Sequence, residues 1–591
     1  MSINAIKEDE TLKSVSKGIT LARLFKYMLA YKLPIFGVII IMLITVTISI
    51  INPLIIKRAI DVHIANHDMK GLFMLGAFAA VINITFVFLV KLRMFLMAKV
   101  SNTVLLTIRQ ELYTHIQQLS FNFFDTRPTG KILARVIGDV NSLKEVLSNS
   151  VTTLIPDFIT ICAVVIIMVT LNWRLALASL ITLPVMMFGL WFIQTRSHLR
   201  WQLHRKKSTN LNAFIHEDLS GMRIIQSFTA EDETSETFDE LLKEHRDSFV
   251  SAIVLNDAFG SVIDFSWGVG SISMYFVAVK VLRLDAGNVG TLMAFAMYIT
   301  MFWHPIMNLS NFYNQLITNI TGAERIFDIL DTKAEIADSE TVTELPEISG
   351  EVRFENVSFA YDADTQVLND VSFRIRPGET IALVGPTGAG KTTIVNLISR
   401  FYDVQQGNIF IDGFNIKDVS IESLRRQMGI MTQDNFLFSG TIADNIRYGK
   451  LDATDEEIIA AAKAVNAHDF IIKMEKGYET ELKERGAGLS IGQRQLLAFA
   501  RTMVSMPKIL ILDEATSSID THTELLVQQG IEVLLRGRTS FVIAHRLSTI
   551  RKADRIFVID DGQILEEGSS DELLAKKGIY YNLYMAQFKN L

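Results

Sequence analysis

Six long apolar runs are distributed along the first half of the chain. Each is rich in Ile, Val, Leu, Met and Phe and is close to the roughly 20 residues that a helix needs to cross a bilayer. The third and fourth runs are separated only by Asn172-Trp173-Arg174, which indicates a tight helical hairpin. The pattern predicts six membrane-spanning helices at about residues 36–56, 72–90, 154–171, 175–193, 262–282 and 289–307.

Two charged stretches between these runs, residues 99–151 and 196–250, keep the apolar period of amphipathic helices. Lys and Arg cluster near their membrane ends, so the positive-inside tendency places both stretches in the cytoplasm. Lys57 and Arg58 lie on the opposite side, but they are outnumbered. An even number of spans then predicts that both termini are cytoplasmic. Ahead of the first span, residues 19–32 have the pattern of a helix that lies on a membrane surface.

The second half of the chain has a different pattern. Residues 331–350 are polar and acidic without a sustained apolar period, which is typical of a linker. Short apolar runs, such as residues 352–359, then alternate with helical patterns and indicate a largely parallel sheet. We therefore predict an α-helical transmembrane domain with cytoplasmic loops at residues 1–330, a linker at 331–350 and an α/β domain at 351–591.

Composition agrees with a membrane part joined to a soluble part. The 591 residues are 49% hydrophobic and 20% charged, and the mean hydropathy is +0.28. A net charge of -7 gives no indication of nucleic-acid binding. Cys162 is the only cysteine, which excludes an intrachain disulfide, and we expect it to be a small buried hydrophobe. The polar first 17 residues predict no cleavable signal peptide.

A glycine-rich stretch follows the apolar run 380–384 and opens into a helical pattern. It satisfies G-x-x-x-x-G-K-[ST] in the strand, loop and helix context that this phosphate-binding motif requires. Lys391 can neutralise the β- and γ-phosphate oxygens, and the Thr392 hydroxyl can ligate Mg²⁺. The predicted phosphate-loop residues are Gly385, Pro386, Thr387, Gly388, Ala389, Gly390, Lys391, Thr392 and Thr393.

An apolar strand at residues 508–512 ends in two carboxylates, Asp513 and Glu514. A strand that is buried on both faces delivers Asp513 to the Mg²⁺ shell. Glu514 then takes the position of a base that orients the attacking water.

These motifs resemble those of an ATP-binding cassette (ABC) transporter of the exporter type, and the resemblance covers nearly the whole length of the chain. Leu489-Ser490-Ile491-Gly492-Gln493 resembles the LSGGQ signature of that family. Gln433 matches its Q-loop, His545 matches its switch histidine, and Tyr361 matches the aromatic residue that stacks on adenine. Residues 123–130 and 217–225 resemble the two cytoplasmic loop regions whose short coupling helices dock on the nucleotide-binding domains.

The resemblance implies that two cassettes close around two ATP molecules, each held by one subunit's phosphate loop and the other subunit's signature. One chain is then a half-transporter that must dimerise. The implied catalytic residues are Glu514, His545 and Lys391. The implied nucleotide-binding residues, besides the phosphate loop, are Tyr361, Gln433, Asp513, Ser490, Gly492 and Gln493. The implied Mg²⁺ ligands are Thr392, Gln433 and Asp513.

Ile491 replaces the first glycine of the signature. A β-branched side chain is bulky where close approach is wanted, so we expect the ATP site that this signature completes to be weakened. This asymmetry resembles heterodimeric bacterial multidrug exporters. It predicts a second, different half-transporter with an intact LSGGQ as the partner, and Glu514 as the one strong catalytic carboxylate. The alternative is a homodimer that tolerates Ile491.

The function that the resemblance implies is ATP-driven export of amphipathic or hydrophobic compounds, such as drugs, across the plasma membrane. A lipid flippase and a peptide exporter are the alternatives within transport, and import on the same fold stays open. A non-transporting regulator or ATP-gated channel is the alternative from another class. Asp157 and Asp264 are candidate substrate contacts in the spans, although their places near span ends fit a solvated helix extension equally well. His304, beside Pro305, is a further candidate.

Overall fold

The structure, a computed structural model, describes residues 17–282, 288–338, 342–362, 365–432, 435–513, 521–543 and 547–588. The chain divides into two compact units. The first contains the chain up to residue 117 together with residues 129–332, and the second contains residues 118–128 together with the chain from residue 333.

The described part of the chain up to Asp331 is helical, with short π-helical segments joining some of the helices. The helices are α1 (Lys17–Leu29), α2 (Lys32–Arg58), α3 (Met69–Gln118), α4 (Phe121–Asp125), α5 (Thr129–Leu133), α6 (Val140–Asn149), α7 (Ile155–Leu180), α8 (Leu183–Ser220), α9 (Met222–Phe228), α10 (Glu231–Phe276) and α11 (Val289–Asp331). The π-helical segments are Ala59–Ile64, Ala134–Asp139, Ser150–Leu154 and Val277–Val281.

Within the part of the chain that the structure describes, five continuous helical segments are long and apolar enough to cross a membrane, which confirms a helical membrane domain. They are Lys32–Ile64, Met69–Gln118, Thr129–Leu180, Glu231–Val281 and Val289–Ile306. The remaining apolar run, at residues 175–193, is divided between two helices. The helix α7 leaves helical geometry at Asn172 (φ -164°, ψ 102°), inside the predicted turn, and ends at Leu180 before α8 begins at Leu183. The fourth run therefore does not form one uninterrupted apolar helix.

The core of the first unit lies where α2, α7, α10 and α11 meet. Phe295 and Tyr298 of α11 are fully buried there, and the Tyr298 hydroxyl donates to the Ile50 carbonyl at 2.8 Å. The helices α7 and α10 approach closely at Gly270, where an added Cβ would lie 2.7 Å from the Ser179 carbonyl oxygen. Cys162 is exposed, so the prediction that it is buried was wrong. Apolar composition alone does not say which face of a spanning helix meets other helices.

The helix α3 presents much of its apolar surface outward, including Phe73, Phe78, Val81 and Phe88. In a spanning helix such a surface is the one that lipid covers. The predicted amphipathic helix at the N-terminus is also present as α1. Its Leu24 is fully buried, whereas Ile19 is exposed, so one side packs on the unit and the other side faces away.

The second unit is an α/β domain with three sheets. Its strands are β1 (Val352–Asp362), β2 (Thr365–Ile375), β3 (Thr380–Val384), β4 (Gln406–Ile411), β5 (Phe414–Asn415), β6 (Met428–Met431), β7 (Gly440–Thr441), β8 (Glu481–Leu482), β9 (Ile509–Asp513), β10 (Thr539–Ile543), β11 (Arg555–Asp560) and β12 (Gln563–Gly568). The main sheet has the order β12-β11-β3-β10-β9-β6 and is parallel except for β12 at its edge. An antiparallel sheet, β2-β1-β4-β5, packs beside it, and β7 pairs with β8. The prediction of an α/β domain with a largely parallel sheet is confirmed.

Helices of the second unit cover the sheets and form a separate helical region between β6 and β9. They are α12 (Lys391–Ile398), α13 (Ile421–Arg426), α14 (Ile442–Arg447), α15 (Asp455–Ala464), α16 (His468–Ile471), α17 (Ile491–Val504), α18 (Thr521–Leu535), α19 (Leu547–Lys552), α20 (Ser570–Lys576) and α21 (Ile579–Phe588). One hydrophobic core lies between the two large sheets, and a second joins the helical region to the main sheet. The short helix α4 also belongs to this unit.

Candidate nucleotide site

The phosphate loop connects β3 to α12 at the carboxyl end of the main sheet. Gly385, Gly388 and Gly390 have φ values of 150°, 88° and 104°, which side chains with a Cβ rarely adopt. An added Cβ at Gly385 would also lie 2.0 Å from the Ile559 carbonyl oxygen. The glycine spacing is therefore a requirement of this backbone, and the loop leads into the N-terminus of α12, where backbone N–H groups favour an anion.

Lys391 begins α12 and lies back over the loop. Its Nζ donates to the carbonyl oxygens of Gly385 at 2.8 Å and Pro386 at 2.7 Å. Burial lowers the pKa of Lys391, and the nearby charge of Asp513 opposes that shift. Thr392, the next residue, is exposed and can present its hydroxyl to a ligand. The loop therefore carries one ammonium group and one hydroxyl at the start of α12, and their roles toward a nucleotide stay predictions.

Strand register relates Asp513 to the phosphate loop. In the main sheet, Ile543 of β10 lies between Leu383 of β3 and Asp513 of β9. Asp513 therefore ends its strand two strands away from the phosphate loop, at the same edge. Gln433, Glu514 and His545 lie outside the described residues, and their predicted roles stay predictions.

Tyr361 is held beside the helix that follows the phosphate loop. Its side chain lies at the end of β1 and its hydroxyl donates to the Thr393 hydroxyl at 3.2 Å, although the residue is 40% exposed. Its ring contacts the rings of Phe359 and Tyr402 edge to face. An exposed ring held in this way can stack on a planar base.

The signature residues begin a different helix, α17. Ser490 caps it, since the Ser490 hydroxyl accepts from the Gln493 backbone N–H at 3.2 Å and the Gln493 side chain accepts from the Ser490 N–H at 2.9 Å. Gly492 is buried, whereas Ile491 is 42% exposed in the first turn. The N-terminus of α17 thus has the polarity to attract an anion, with an apolar side chain standing beside it.

Two family models match the chain, one for the ABC transporter transmembrane region over residues 35–306 and one for the ABC transporter over residues 368–517. An ATP-dependent lipid A-core flippase from Syntrophus aciditrophicus is 40% identical over 496 residues, which are 84% of this chain and 82% of the flippase. This chain belongs to the ABC transporter family.

A fatty acid ABC transporter ATP-binding/permease protein from Mycobacterium bovis is 40% identical over 484 residues, which are 81% of this transporter and 76% of the relative. The structure of a bacterial Atm1-family ABC exporter with ATP bound aligns with a TM-score of 0.78 and 29% identity, and it covers 94% of this transporter and 98% of the solved chain. The transporter is therefore an exporter-type half-transporter that works as a dimer. Its nucleotide-binding domain is an ATPase whose hydrolysis is coupled to translocation.

Sequence reasoning missed an exposed aromatic surface in the helical region of this ABC transporter. The Phe438 ring contacts the Phe436 ring edge to face and lies tilted against the Tyr448 ring, and all three are exposed. The Arg501 guanidinium lies over the rings of Phe438 and Tyr448. The Arg501 guanidinium donates to the Phe436 carbonyl at 2.9 Å and to the Asn445 carbonyl at 2.9 Å, and burial lowers its pKa. The closeness of Phe436 and Phe438 to Gln433 in the sequence was the signal that could have revealed this surface.

The structure also brings Asp157 and His304 to the same side chain, that of Asn308. The Asn308 amide donates to the Asp157 carboxylate at 3.0 Å and lies 3.5 Å from His304 Nδ1. Asp264 is exposed on α10. Asp157 thus has a hydrogen-bond partner of its own in this half of the transporter, and a substrate would have to compete with that contact.

Proposed function

We propose that this ABC transporter uses ATP hydrolysis to export amphipathic or hydrophobic compounds, such as drugs, across the cell membrane as one half of a heterodimer. Two kinds of observation support this function. The family relationship supplies the coupling of ATP hydrolysis to transport, and the names of two relatives give a lipid A core and a fatty acid as cargo. Both are amphipathic, which fits a transporter whose spans expose wide apolar surfaces.

ATP and Mg²⁺ would be held at the carboxyl edge of the main sheet. Lys391 and the N-terminus of α12 would bind the phosphates, and the ring of Tyr361 would support the base. Thr392 and Asp513 offer the hard oxygen ligands that Mg²⁺ prefers, together with phosphate oxygens and water. Bound there, Mg²⁺ would supply positive charge to the phosphates, and Glu514 would orient the attacking water.

The observation that carries the heterodimer is the side chain of Ile491. It is 42% exposed in the first turn of α17, beside the Ser490 hydroxyl and the positive end of the helix. A branched side chain at this point keeps a phosphate away from the backbone N–H groups at the start of the helix. The phosphate loop of the same chain carries no comparable departure. We therefore infer that this chain contributes the competent Walker motifs and that a different chain contributes the competent signature.

The orientation of the transporter follows from the charges between the spans. We propose that the long charged stretches and both termini face the cytoplasm, where ATP is available. A positive-inside arrangement puts the nucleotide-binding domain on the same side.

A lipid flippase is the second candidate, and the relationship to the lipid A-core flippase favours it. It differs from drug export in the cargo, since a flippase moves a resident lipid between leaflets. A homodimer is compatible with either cargo if Ile491 is tolerated.

ATPase activity of the purified chain in lipid tests the heterodimer. We would compare the chain alone with the chain co-expressed with a second half-transporter that a neighbouring gene encodes. That second chain should have an intact LSGGQ but no Glu at the position that corresponds to Glu514. Glu514→Gln in this chain is the control in both samples. We expect activity only in the mixed sample and expect Glu514→Gln to abolish it. An active dimer of this chain alone would refute the heterodimer.

Cargo is tested in the active complex. We would measure stimulation of ATPase by cationic amphiphilic dyes and, separately, translocation of fluorescent phospholipids in proteoliposomes. Stimulation and transport of the dyes would support multidrug export, and translocation of lipid alone would favour the flippase. If neither cargo is moved while ATPase is intact, the export proposal fails.

A further inference from the structure

Tyr402 packs against the ring that is proposed to support adenine. It is only 7% exposed, and its ring centroid lies 5.0 Å from that of Tyr361 at an interplanar angle of 88°. Phe359 completes the cluster, with centroids 4.9 Å from Tyr361 and 5.7 Å from Tyr402. Edge-to-face contacts of this kind favour one relative orientation of the rings. The plane of Tyr361 therefore depends on where Tyr402 is held.

The Tyr361 hydroxyl is anchored separately. It donates to the Thr393 hydroxyl at 3.2 Å and accepts from the Asn396 side-chain amide at 3.4 Å. Both partners lie on α12, the helix that opens at the phosphate loop. These contacts fix one end of the Tyr361 side chain, whereas the two neighbouring rings set the tilt of its exposed face.

Tyr402 is in turn held by the helix α4. The Tyr402 hydroxyl donates to the carboxylate of Asp125, the last residue of α4. Burial and the adjacent Asp125 carboxylate raise the pKa of Tyr402 well above its usual value, so the phenol stays a proton donor at physiological pH. The position of Tyr402 therefore depends on a residue that lies 277 positions away in the chain.

Two further contacts hold α4 at the same place. The Phe121 ring lies 4.3 Å from the Phe401 ring, centroid to centroid, and Phe401 is the direct neighbour of Tyr402. The Asn122 side-chain amide contacts both carboxylate oxygens of Glu335, at 2.9 and 3.0 Å. The chain on either side of residues 118–128 belongs to the first unit. A displacement of that chain would therefore act on Tyr402 through α4.

We propose that Tyr402 is a positioning residue that makes the affinity for the adenine base depend on how α4 is held. The inference rests on the proposed role of Tyr361 in supporting the base. Because coupling between two sites is reciprocal, a bound base also strengthens the hold of the domain on α4, whereas a bare polyphosphate does not. The base, and not only the triphosphate, thus contributes to the energetic coupling between nucleotide binding and α4, which lies in the first cytoplasmic loop region.

The test compares ligands with and without a base. We would measure the affinities of Mg-ATP and Mg-tripolyphosphate by calorimetry on the full chain in nanodiscs, with Glu514→Gln present throughout to stop hydrolysis. Tyr402→Phe keeps the ring but removes the hydroxyl, and Asp125→Ala removes the acceptor. We expect both variants to weaken ATP binding about twofold to tenfold, the range of one aromatic pair, and to leave tripolyphosphate binding unchanged.

Three controls separate this role from a structural one. Tyr448→Phe removes a hydroxyl from an exposed tyrosine elsewhere in the domain and should change neither affinity. In a Tyr361→Ala background, Tyr402→Phe should have no further effect on ATP binding, because the ring through which it acts is gone. Asp125→Asn keeps a side-chain oxygen that can accept from the Tyr402 hydroxyl, so it should bind ATP more tightly than Asp125→Ala does.

Equal losses for ATP and tripolyphosphate would overturn the proposal, since they would indicate damage to the phosphate loop. Unchanged ATP binding in folded Tyr402→Phe and Asp125→Ala, or an additive loss with Tyr361→Ala, would also overturn it. The export proposal is tested separately, by ATPase activity and transport. The binding differences are measured without hydrolysis or cargo, so they can be present even if transport is not found. If Tyr361→Ala alone leaves ATP binding unchanged, the base-supporting role of Tyr361 is wrong and the proposal falls with it.

Discussion

In the proposed mechanism the phosphate loop and the signature segment of this chain face two different ATP molecules, and the fold constrains the two segments differently. Gly385 of the loop has a φ of 150°, and an added Cβ would lie 2.0 Å from a backbone carbonyl. Ile491 of the signature is an ordinary helical residue, and the cap formed by Ser490 in front of it is intact. Glycine in the loop is required by the chain itself. Glycine at position 491 would be required only by a phosphate that approaches the N-terminus of α17.

This difference determines which substitutions a measurement of folding stability can detect. A residue with a side chain at Gly385 disturbs the backbone before any nucleotide binds. A residue with a side chain at position 491 leaves α17 in place, because helical φ values suit Ile and most other residues. A weakened signature can therefore persist in a well-folded chain, and only measurements of function detect it.

Lys391→Ala should have the largest effect and would show how much the loop depends on its one charge. We expect the ATPase activity of the active complex to fall about a hundredfold or more, because a preorganised charge at the phosphates is lost. Lys417→Ala is the control, since Lys417 also donates to a backbone carbonyl of the domain, that of Val404 at 2.9 Å. Hydrolysis that survives Lys391→Ala would mean that the loop is not the catalytic one.

Gly385→Ala against Gly388→Ala separates steric overlap from backbone strain. Both glycines have a positive φ, but an added Cβ at Gly388 has nothing within 4 Å. We expect Gly385→Ala to destabilise the domain by about 3 kcal/mol or more and Gly388→Ala by about 1–2 kcal/mol. Thermal unfolding of the full chain in lipid gives the order. Equal losses of stability would show that the close contact at Gly385 relaxes.

Ile491→Gly tests the other side of the comparison. We expect it to bring the ATPase activity of the chain expressed alone to about tenfold above the background rate of Glu514→Gln, because the removed bulk restores some 1.4 kcal/mol of contact to the phosphate. The same change should cost about 1 kcal/mol of stability, because glycine is a poor helix former. ATPase and thermal unfolding are measured on the same preparation. If the unchanged chain is already active alone and Ile491→Gly has the same ATPase activity, Ile491 does not weaken the signature.

Ser490→Ala should have the smallest effect on the fold. Loss of the helix cap costs about 1 kcal/mol of stability. Ser569→Ala is a matched variant, since Ser569 caps α20 with the same reciprocal contacts to Glu572. We expect the two variants to unfold at similar temperatures. ATPase should fall further in Ser490→Ala only if this chain's signature contributes to hydrolysis, so a normal rate would support the asymmetric dimer.

Local features were predictable because their signals lie close together in the sequence. The strand β3, the glycine turn and α12 form one continuous stretch, and its backbone has the positive φ values that the glycines indicate. The capping of α17 by Ser490 and Gln493 follows in the same way from neighbouring residues. The roles of Gln433, Glu514 and His545 remain predictions of this kind.

Other features depended on distant parts of the chain. The hydrogen bond between Tyr402 and Asp125 joins residues that no periodicity relates. Asn308 contacts Asp157 across 151 positions, whereas the sequence alone presented Asp157 as an isolated polar residue near the end of a span. Cys162 has an apolar neighbourhood in the sequence but is exposed on its helix.

By itself, the sequence determined the helical membrane half, the α/β half and the phosphate loop, because apolar period and backbone preference act over neighbouring residues. Tertiary structure alone decided that α4 joins the nucleotide-binding unit, that Tyr402 lies between Asp125 and Tyr361, and that the fourth apolar run is divided between α7 and α8. These outcomes depend on which faces pack together. Packing energy is shared among residues far apart in the chain, so no local pattern encodes it.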